Sequence, residues 1–276
     1  MAITIKNITT IEDFEKVHEL DVKVWGVDPV PTHQTMTAAK NGGIVLGAFD
    51  GEKLVGFQYS FAGFKDGDVY VCSHMMGVDP HYRNQGIGFI LKQRQAEEAL
   101  KLGYKKIRWT YDPLESRNGY LNIAKLGAIC CDYIENCYGE MKDPLNNGMP
   151  SDRFHVEWYP NHPYLKERNE RFSNLEIELS SLALQWKENG AGLPSAVPVT
   201  NLDFSQASYL FVPIPVDFQK IKEVDHELAL DWRLKTREVF VSLFSKDWAV
   251  AHVIRKQNEL CQYYVLCRRS ELGLSL

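Results

Sequence analysis

A mixed α/β fold follows from three features of the sequence. Along the first 160 residues, strand-like alternation and helical apolar spacing succeed one another. Two turn signals, Asp50-Gly51 and Lys65-Asp66-Gly67-Asp68, join three consecutive strand-like runs into an antiparallel meander. After Pro160 the order strand, helix, hairpin occurs once more. The expected class is therefore α/β with a mixed (α+β) sheet and an additional C-terminal βαββ region.

Taken in order, Ile3 to Ile8 alternates like a strand, and Thr9-Thr10 supplies a helix start. The helix from Ile11 to about Trp25 keeps Phe14, Val17, Leu20 and Val24 on one side. Pro29 and Pro31 break it, and a shorter polar helix runs to Asn41. Strands follow at Gly43–Phe49, Lys53–Ala62 and Val69–Val78. Gly86 to Leu102 reads as a helix with Ile87, Ile90, Leu91, Ala99 and Leu102 as its apolar positions, ended by Gly103. Lys105–Tyr111 is a strand, Glu115–Leu126 a helix, and Cys130–Tyr138 and Arg153–Trp158 two more strands.

Beyond Pro160 the character changes. Lys187–Pro198, rich in Gly, Pro, Ala and Asn, reads as a linker or long loop. A strand near Tyr209–Pro213, a helix from about Asp217 to Ser245, and strands at Trp248–Arg255 and Leu260–Arg268 complete the chain. This tail is either a partial copy of the first fold or a common βαββ unit. The domains expected are 1–160 and 161–276. The second packs on the first, because its strands are too few and too apolar to stand alone. Glu223, Asp225, His226 and Glu227 read as the solvated face of a helix.

Composition narrows the function. With 45% hydrophobic and 12% aromatic residues in 276, the chain can bury a core. The net charge is −5 and no basic tract stands out, so neither nucleic acid nor membrane is expected as a partner. The start, MAITIKNITTIEDFEKVHEL, lacks the basic and apolar regions of a secretory signal, and no run approaches eighteen apolar residues. Six cysteines without a CxxC pair suit reduced thiols in the cytoplasm, and no metal site is expected from their spacing.

The informative segment is Val78-Asp79-Pro80-His81-Tyr82-Arg83-Asn84-Gln85-Gly86-Ile87-Gly88-Phe89. It places Arg-x-x-Gly-x-Gly between an apolar strand and an amphipathic helix. Glycines leave backbone amides unshielded, and a helix N-terminus offers unpaired N–H groups and a positive dipole end, which suits a pyrophosphate. A P-loop would need Gly-Lys-Ser/Thr, which is absent. A dinucleotide fold would need Gly-x-Gly-x-x-Gly and a later acidic residue. A plain glycine-containing helix entry fits the same residues.

This segment resembles the acetyl-CoA signature of the GNAT acyltransferases, Arg/Gln-x-x-Gly-x-Gly/Ala after a Val-x-Pro strand end. The order of elements from Ile3 to Trp158 is similar as well. The resemblance implies a GNAT-like acyl-CoA-binding domain in which the amides of Gln85, Gly86, Ile87, Gly88 and Phe89, with Arg83, hold a pyrophosphate. It also implies that Met76, Gly77 and Val78 pair with the pantetheine arm and polarise the thioester carbonyl. Asn118, on the helix before Gly127-Ala128, is the implied CoA-contacting asparagine. Ala128 replaces the family's aromatic, and Ile123 stands where a thiolate-protonating tyrosine is often found, which leaves Tyr120 as the substitute acid or as a core or rim tyrosine.

Strand alternation puts Cys72, His74 and Met76 on one face, and His74 is either a catalytic base or a half-buried histidine bonded to a neighbour. The implied activity is direct transfer of an acyl group from acetyl-CoA or another acyl-CoA to a small amine or amino-acid-like acceptor. The alternatives are a non-catalytic CoA-binding module and a transferase using a donor such as succinyl-CoA. Oligomeric state, a homodimer included, stays open.

Overall fold

The computed structural model describes residues 3–26, 29–139, 148–200, 204 and 206–274. The chain forms two compact units, Met1–Trp109 with Tyr159–Asn161, and Thr110–Trp158 with His162–Leu276.

In the first unit, strands β1 (Thr4–Asn7), β2 (Ile44–Asp50), β3 (Lys53–Lys65) and β4 (Asp68–Val78) pair antiparallel in that order. The start of β5 (Ile107–Tyr111) joins β4 in parallel. Helix α1 (Ile11–Trp25) begins where the Thr10 side chain accepts the Asp13 N–H at 3.2 Å. It ends at Gly26, whose φ of +72° no β-branched residue would take comfortably. Its buried side, Phe14, Val17 and Leu20, packs with Val45, Phe57 and Tyr59 on one face of the sheet. A shorter α2 (Thr32–Lys40) buries only Thr35.

Helix α3 (Ile87–Lys101) covers the other face, where a Cβ on Gly56 would lie 3.0 Å from Ile87 Cγ2. Its buried stripe differs from the expected one. Ile90 and Leu102 are exposed, and Lys92 and Gln95 are buried with Ile87, Leu91, Ala96 and Ala99.

The second unit holds β6 (Ile129–Ile134), β7 (Arg153–Trp158), β10 (Leu210–Pro215), β11 (Trp248–Ile254) and β12 (Cys261–Arg268), in the order β7-β6-β11-β12-β10. A separate hairpin pairs β8 (Leu184–Glu188) with β9 (Pro194–Pro198). Lys187–Pro198 is thus a hairpin and not a linker: the Asn189 carboxamide accepts the N–H groups of Ala191 and Leu193 and turns the chain. The long helix expected from Asp217 breaks into α6 (Phe218–Val224) and α7 (His226–Phe244), because Asp225 accepts the Leu228 N–H at 2.9 Å and caps a new helix. Helix α5 (Tyr164–Phe172), which periodicity did not disclose, also lies here.

The helix after β5 starts as α4 (Ser116–Gly119) and widens into a π-turn over Tyr120–Lys125. Buried Arg168 of α5 donates to the Ile123 and Ala124 carbonyls at 2.8 and 3.0 Å, satisfying acceptors near the end of the widened turn. The division after Trp109 does not coincide with the boundary expected near Pro160. Val250 of β11 pairs with Cys130 of β6, so 110–158 belongs with the C-terminal residues. The C-terminal βαββ region shares the element order of the opening without its pairing: β1 pairs with β2, whereas β10 pairs with β12. Among the described residues, no helix is long and apolar enough to cross a membrane.

A chain cut at Pro160 loses β10, β11 and β12 and bares the edge of β6. Such a fragment is expected to aggregate on size-exclusion chromatography. A monodisperse, folded fragment would show that β6 does not need β11.

Candidate functional site

Strand β4 is bonded to β3 along its whole length and to β5 only briefly. Val71 faces Ile107 and Cys72 faces Arg108, and no further pair joins these two strands among the described residues. From Ser73 to Val78 the β5-side edge of β4 therefore has no strand beside it, while Met76, Gly77 and Val78 are held from the other side by Gln58, Phe57 and Gly56. Such an edge presents backbone donors and acceptors to whatever lies alongside. Gly77 is required here by close packing: a Cβ would lie 2.8 Å from the Phe57 ring and 3.1 Å from Trp25.

The register explains where His74 stands. Ser60 pairs with Ser73 and Tyr59 with Met75, which leaves His74 as one extra residue, a bulge. The bulge overturns simple alternation, because Met76 falls opposite Gln58 while Met75 shares the face of Tyr59. Cys72 and His74 stay on that face: Cys72 pairs with Phe61, and the His74 ring lies 5.8 Å from the rings of both Tyr59 and Phe61. His74 is nevertheless an exposed residue of β4, and partial desolvation beside these rings lowers its pKa from the ordinary value.

The strand ends in a pinned loop. Asp79 is 1% exposed; its carboxylate accepts the Lys23 ammonium at 2.8 Å and the His81 N–H at 3.1 Å, with Lys53 at 4.0 Å. The bond from Lys23, ahead of smaller contributions from His81 and Lys53, holds this carboxyl below its usual pKa. Tyr82 donates to Asp50 at 2.9 Å and fixes the far side.

Beyond these pins the loop opens. Arg83, Asn84, Gln85 and Gly86 are exposed, and Asn84 and Gly86 adopt left-handed φ values of +64° and +80°. Nothing lies within 4 Å of where a Gly86 Cβ would sit. Gly86 is the N-cap of α3, so the helix's first amides and its positive dipole end begin at an uncovered backbone. Ile87 is buried beneath, while Gly88 and Phe89 are partly exposed. Left-handed residues ahead of a helix N-terminus can turn backbone amides toward one anion.

The structure thus brings Met76, Gly77, Val78, Arg83, Gln85, Gly86, Ile87, Gly88 and Phe89 into one continuous stretch of the first unit, with His74 on the same strand. Asn118 and Tyr120 belong to the second unit. Asn118 is exposed on α4, and the Tyr120 ring lies 3.8 Å beneath the Arg255 guanidinium. Ile123 is fully buried.

Sequence reasoning missed two features. One is the Asp79–Lys23 anchor, whose partners lie 56 residues apart. The other is Lys92, buried on α3, which its place between Leu91 and Gln95 on the inner stripe could have revealed.

A model of the Acetyltransferase (GNAT) family matches residues 9–120. Among solved structures, the ribosomal-protein-S18-alanine N-acetyltransferase of Escherichia coli is similar at 15% identity and a TM-score of 0.48, covering 64% of this chain and 100% of its own. YncA, a putative acetyltransferase of Salmonella typhimurium solved with acetyl-CoA, is similar at 16% identity and a TM-score of 0.48, covering 59% and 96%. Naa50 of Arabidopsis thaliana, solved with a bisubstrate analogue, is similar at 18% identity and a TM-score of 0.45, covering 57% and 98%. No curated protein matches the chain.

The depressed pKa of Asp79 sets the sign of a pH effect. Its contribution to stability is present above the unfolded value of about 3.9 and is lost as pH falls through the folded value. Asp79→Asn is expected to cost about 1.5–3 kcal/mol at pH 7, the worth of a charged hydrogen bond. Thermal melts should show this gap closing in acid, and a gap unchanged at pH 3 would rule out the anchor.

Proposed function

We propose that the chain, whose residues 9–120 belong to the acetyltransferase (GNAT) family, moves an acyl group directly from acetyl-CoA or another acyl-CoA to an amine. The observation that carries this reading is the open edge of β4 leading into a left-handed glycine at the entry of α3. In this reading the amides of Gln85, Gly86, Ile87, Gly88 and Phe89, with Arg83, hold a pyrophosphate. The edge at Met76, Gly77 and Val78 receives the pantetheine arm as an added strand. When bound, acyl-CoA supplies an activated thioester carbonyl and a thiol leaving group.

The residues of this chain then have distinct tasks. The β4 amides hold and polarise a carbonyl oxygen in fixed geometry, and holding two reactants side by side accounts for much of the rate. His74 takes the proton from the attacking amine, directly or through a water. The downward direction of its pKa favours the proton-accepting form. Asn118 is proposed as a CoA contact and Tyr120 as a proton donor. The acceptor is a small amine or an amino-acid-like molecule.

A second reading, a CoA-binding module without turnover, is favoured by the buried Ile123, which offers no proton donor. Release of CoA thiol in the presence of amine pools separates the two.

Acetyl-CoA or CoA at one hundred times its dissociation constant is expected to stabilise the chain by about 2.7 kcal/mol, read as a thermal shift. Gly86→Val should abolish that shift, because a β-branched residue resists the left-handed φ and fills the open approach. No shift in the wild-type chain with several acyl-CoAs at millimolar concentration would remove the reading.

His74→Ala is expected to lower turnover roughly 10²-fold or more while leaving CoA affinity nearly unchanged. The loss should be larger for amines near pKa 10.4, about three units above neutral, than for α-amines near 7.7–8.0. In the wild type the acid limb of the pH–rate profile should fall below about 6.5. An unaltered rate and profile in the variant would make His74 structural.

A further inference from the structure

Lys92 brings its amine to the fork where β4 and β5 part. The last backbone pair is Cys72 with Arg108, and Ser73 and Trp109 are the next residues on each strand. Lys92 Nζ donates to Ser73 Oγ at 2.7 Å and lies 3.7 Å from the centre of the Trp109 ring. The residue is 3% exposed, and no carboxylate among the described residues pairs with it. Gln58 Nε2 reaches the same Ser73 oxygen at 3.4 Å. Its Oε1, and both polar atoms of buried Gln95 one turn along α3, have no hydrogen-bond partner.

An inner-stripe position on a helix is ordinarily apolar, and lysines are almost never fully buried unless paired. Here burial disfavours the ammonium and brings the pKa down to about 7, with only Cys72 opposing that fall. The Trp109 ring and the Ser73 hydroxyl soften the cost without neutralising the charge. The amine is therefore held partly neutral, and an anion placed beside it would favour its ammonium form.

Its position says which anion. The acyl-CoA reading above, on which this inference rests, runs the pantetheine from the α3 entry back along Val78, Gly77 and Met76. That direction leads to the fork at Ser73 and Trp109. We propose that Lys92 reads the far end of the acyl group, and that the preferred donor carries a carboxylate there, as malonyl- and succinyl-CoA do. An acetyl methyl would leave the ammonium without a counter-charge. A carboxylate supplies one, and the unpaired Nε2 group of Gln95 offers it a further hydrogen bond.

The test is calorimetric titration of the full chain with CoA, acetyl-CoA, malonyl-CoA and succinyl-CoA. One of the two dicarboxylic thioesters is expected to bind about tenfold or more tightly than acetyl-CoA. Lys92→Met, which keeps the length and removes the charge, should raise that Kd about tenfold, level with acetyl-CoA, and move the Kd of CoA less than about threefold. Equal affinities of the wild-type chain for all three thioesters would overturn the proposal and leave the acyl-CoA reading intact. A Lys92→Met chain that keeps the preference would overturn it likewise. Failure of CoA and every thioester to bind would overturn both. Should the variant not fold, the wild-type ranking decides.

Discussion

Strand β4 gives its backbone groups to β3 from end to end but to β5 over two residues only, and the site is built on that imbalance. A sheet edge left inside a fold is costly unless something occupies it, because each buried N–H and C=O needs a partner. The bulge at His74 accompanies the parting: one extra residue breaks the ladder, bends the strand and turns the following side chains over. The glycine loop lies where it does because β4 ends there. The first turn of α3 follows directly, and Lys92, one turn in, reaches the apex of the wedge.

Two buried ionisable groups on this scaffold are treated in opposite ways. Asp79 is satisfied twice over, by an ammonium and by a backbone amide, and it holds the base of the loop still while the apex stays open. Lys92 has a hydroxyl and an aromatic face but no anion. A paired buried charge rigidifies its surroundings, whereas an unpaired one is costly to keep charged. Sharp pinning below an uncovered backbone leaves the loop amides ordered in advance.

The second unit is organised around polar groups of its own. Arg233, 1% exposed on α7, donates to Asp112 at 2.5 Å, and the Tyr264 hydroxyl donates to the Pro113 carbonyl at 2.9 Å. Both tie the segment just after β5 to elements more than a hundred residues away. With the β11–β6 pairing, they explain why residues 110–158 fold with the C-terminal part rather than with the strands that precede them.

Much of the site was legible in order. The Arg-x-x-Gly-x-Gly spacing, the apolar strand before it and the helix after it are local patterns, so the loop and the start of α3 were placed within a residue. Asp225 and Asn189 were misread because a single polar side chain, bonding its own backbone, converted helix into break and loop into hairpin. What only the tertiary structure decided is non-local. The bulge at His74 exists by comparison with the register of β3. Asp79 is anchored by a lysine on α1, and Lys92 is buried by the depth at which α3 packs on the sheet. Periodicity states which residues share a face of one element. The depth of each face and the charge that meets it depend on the neighbouring element, which no local pattern contains.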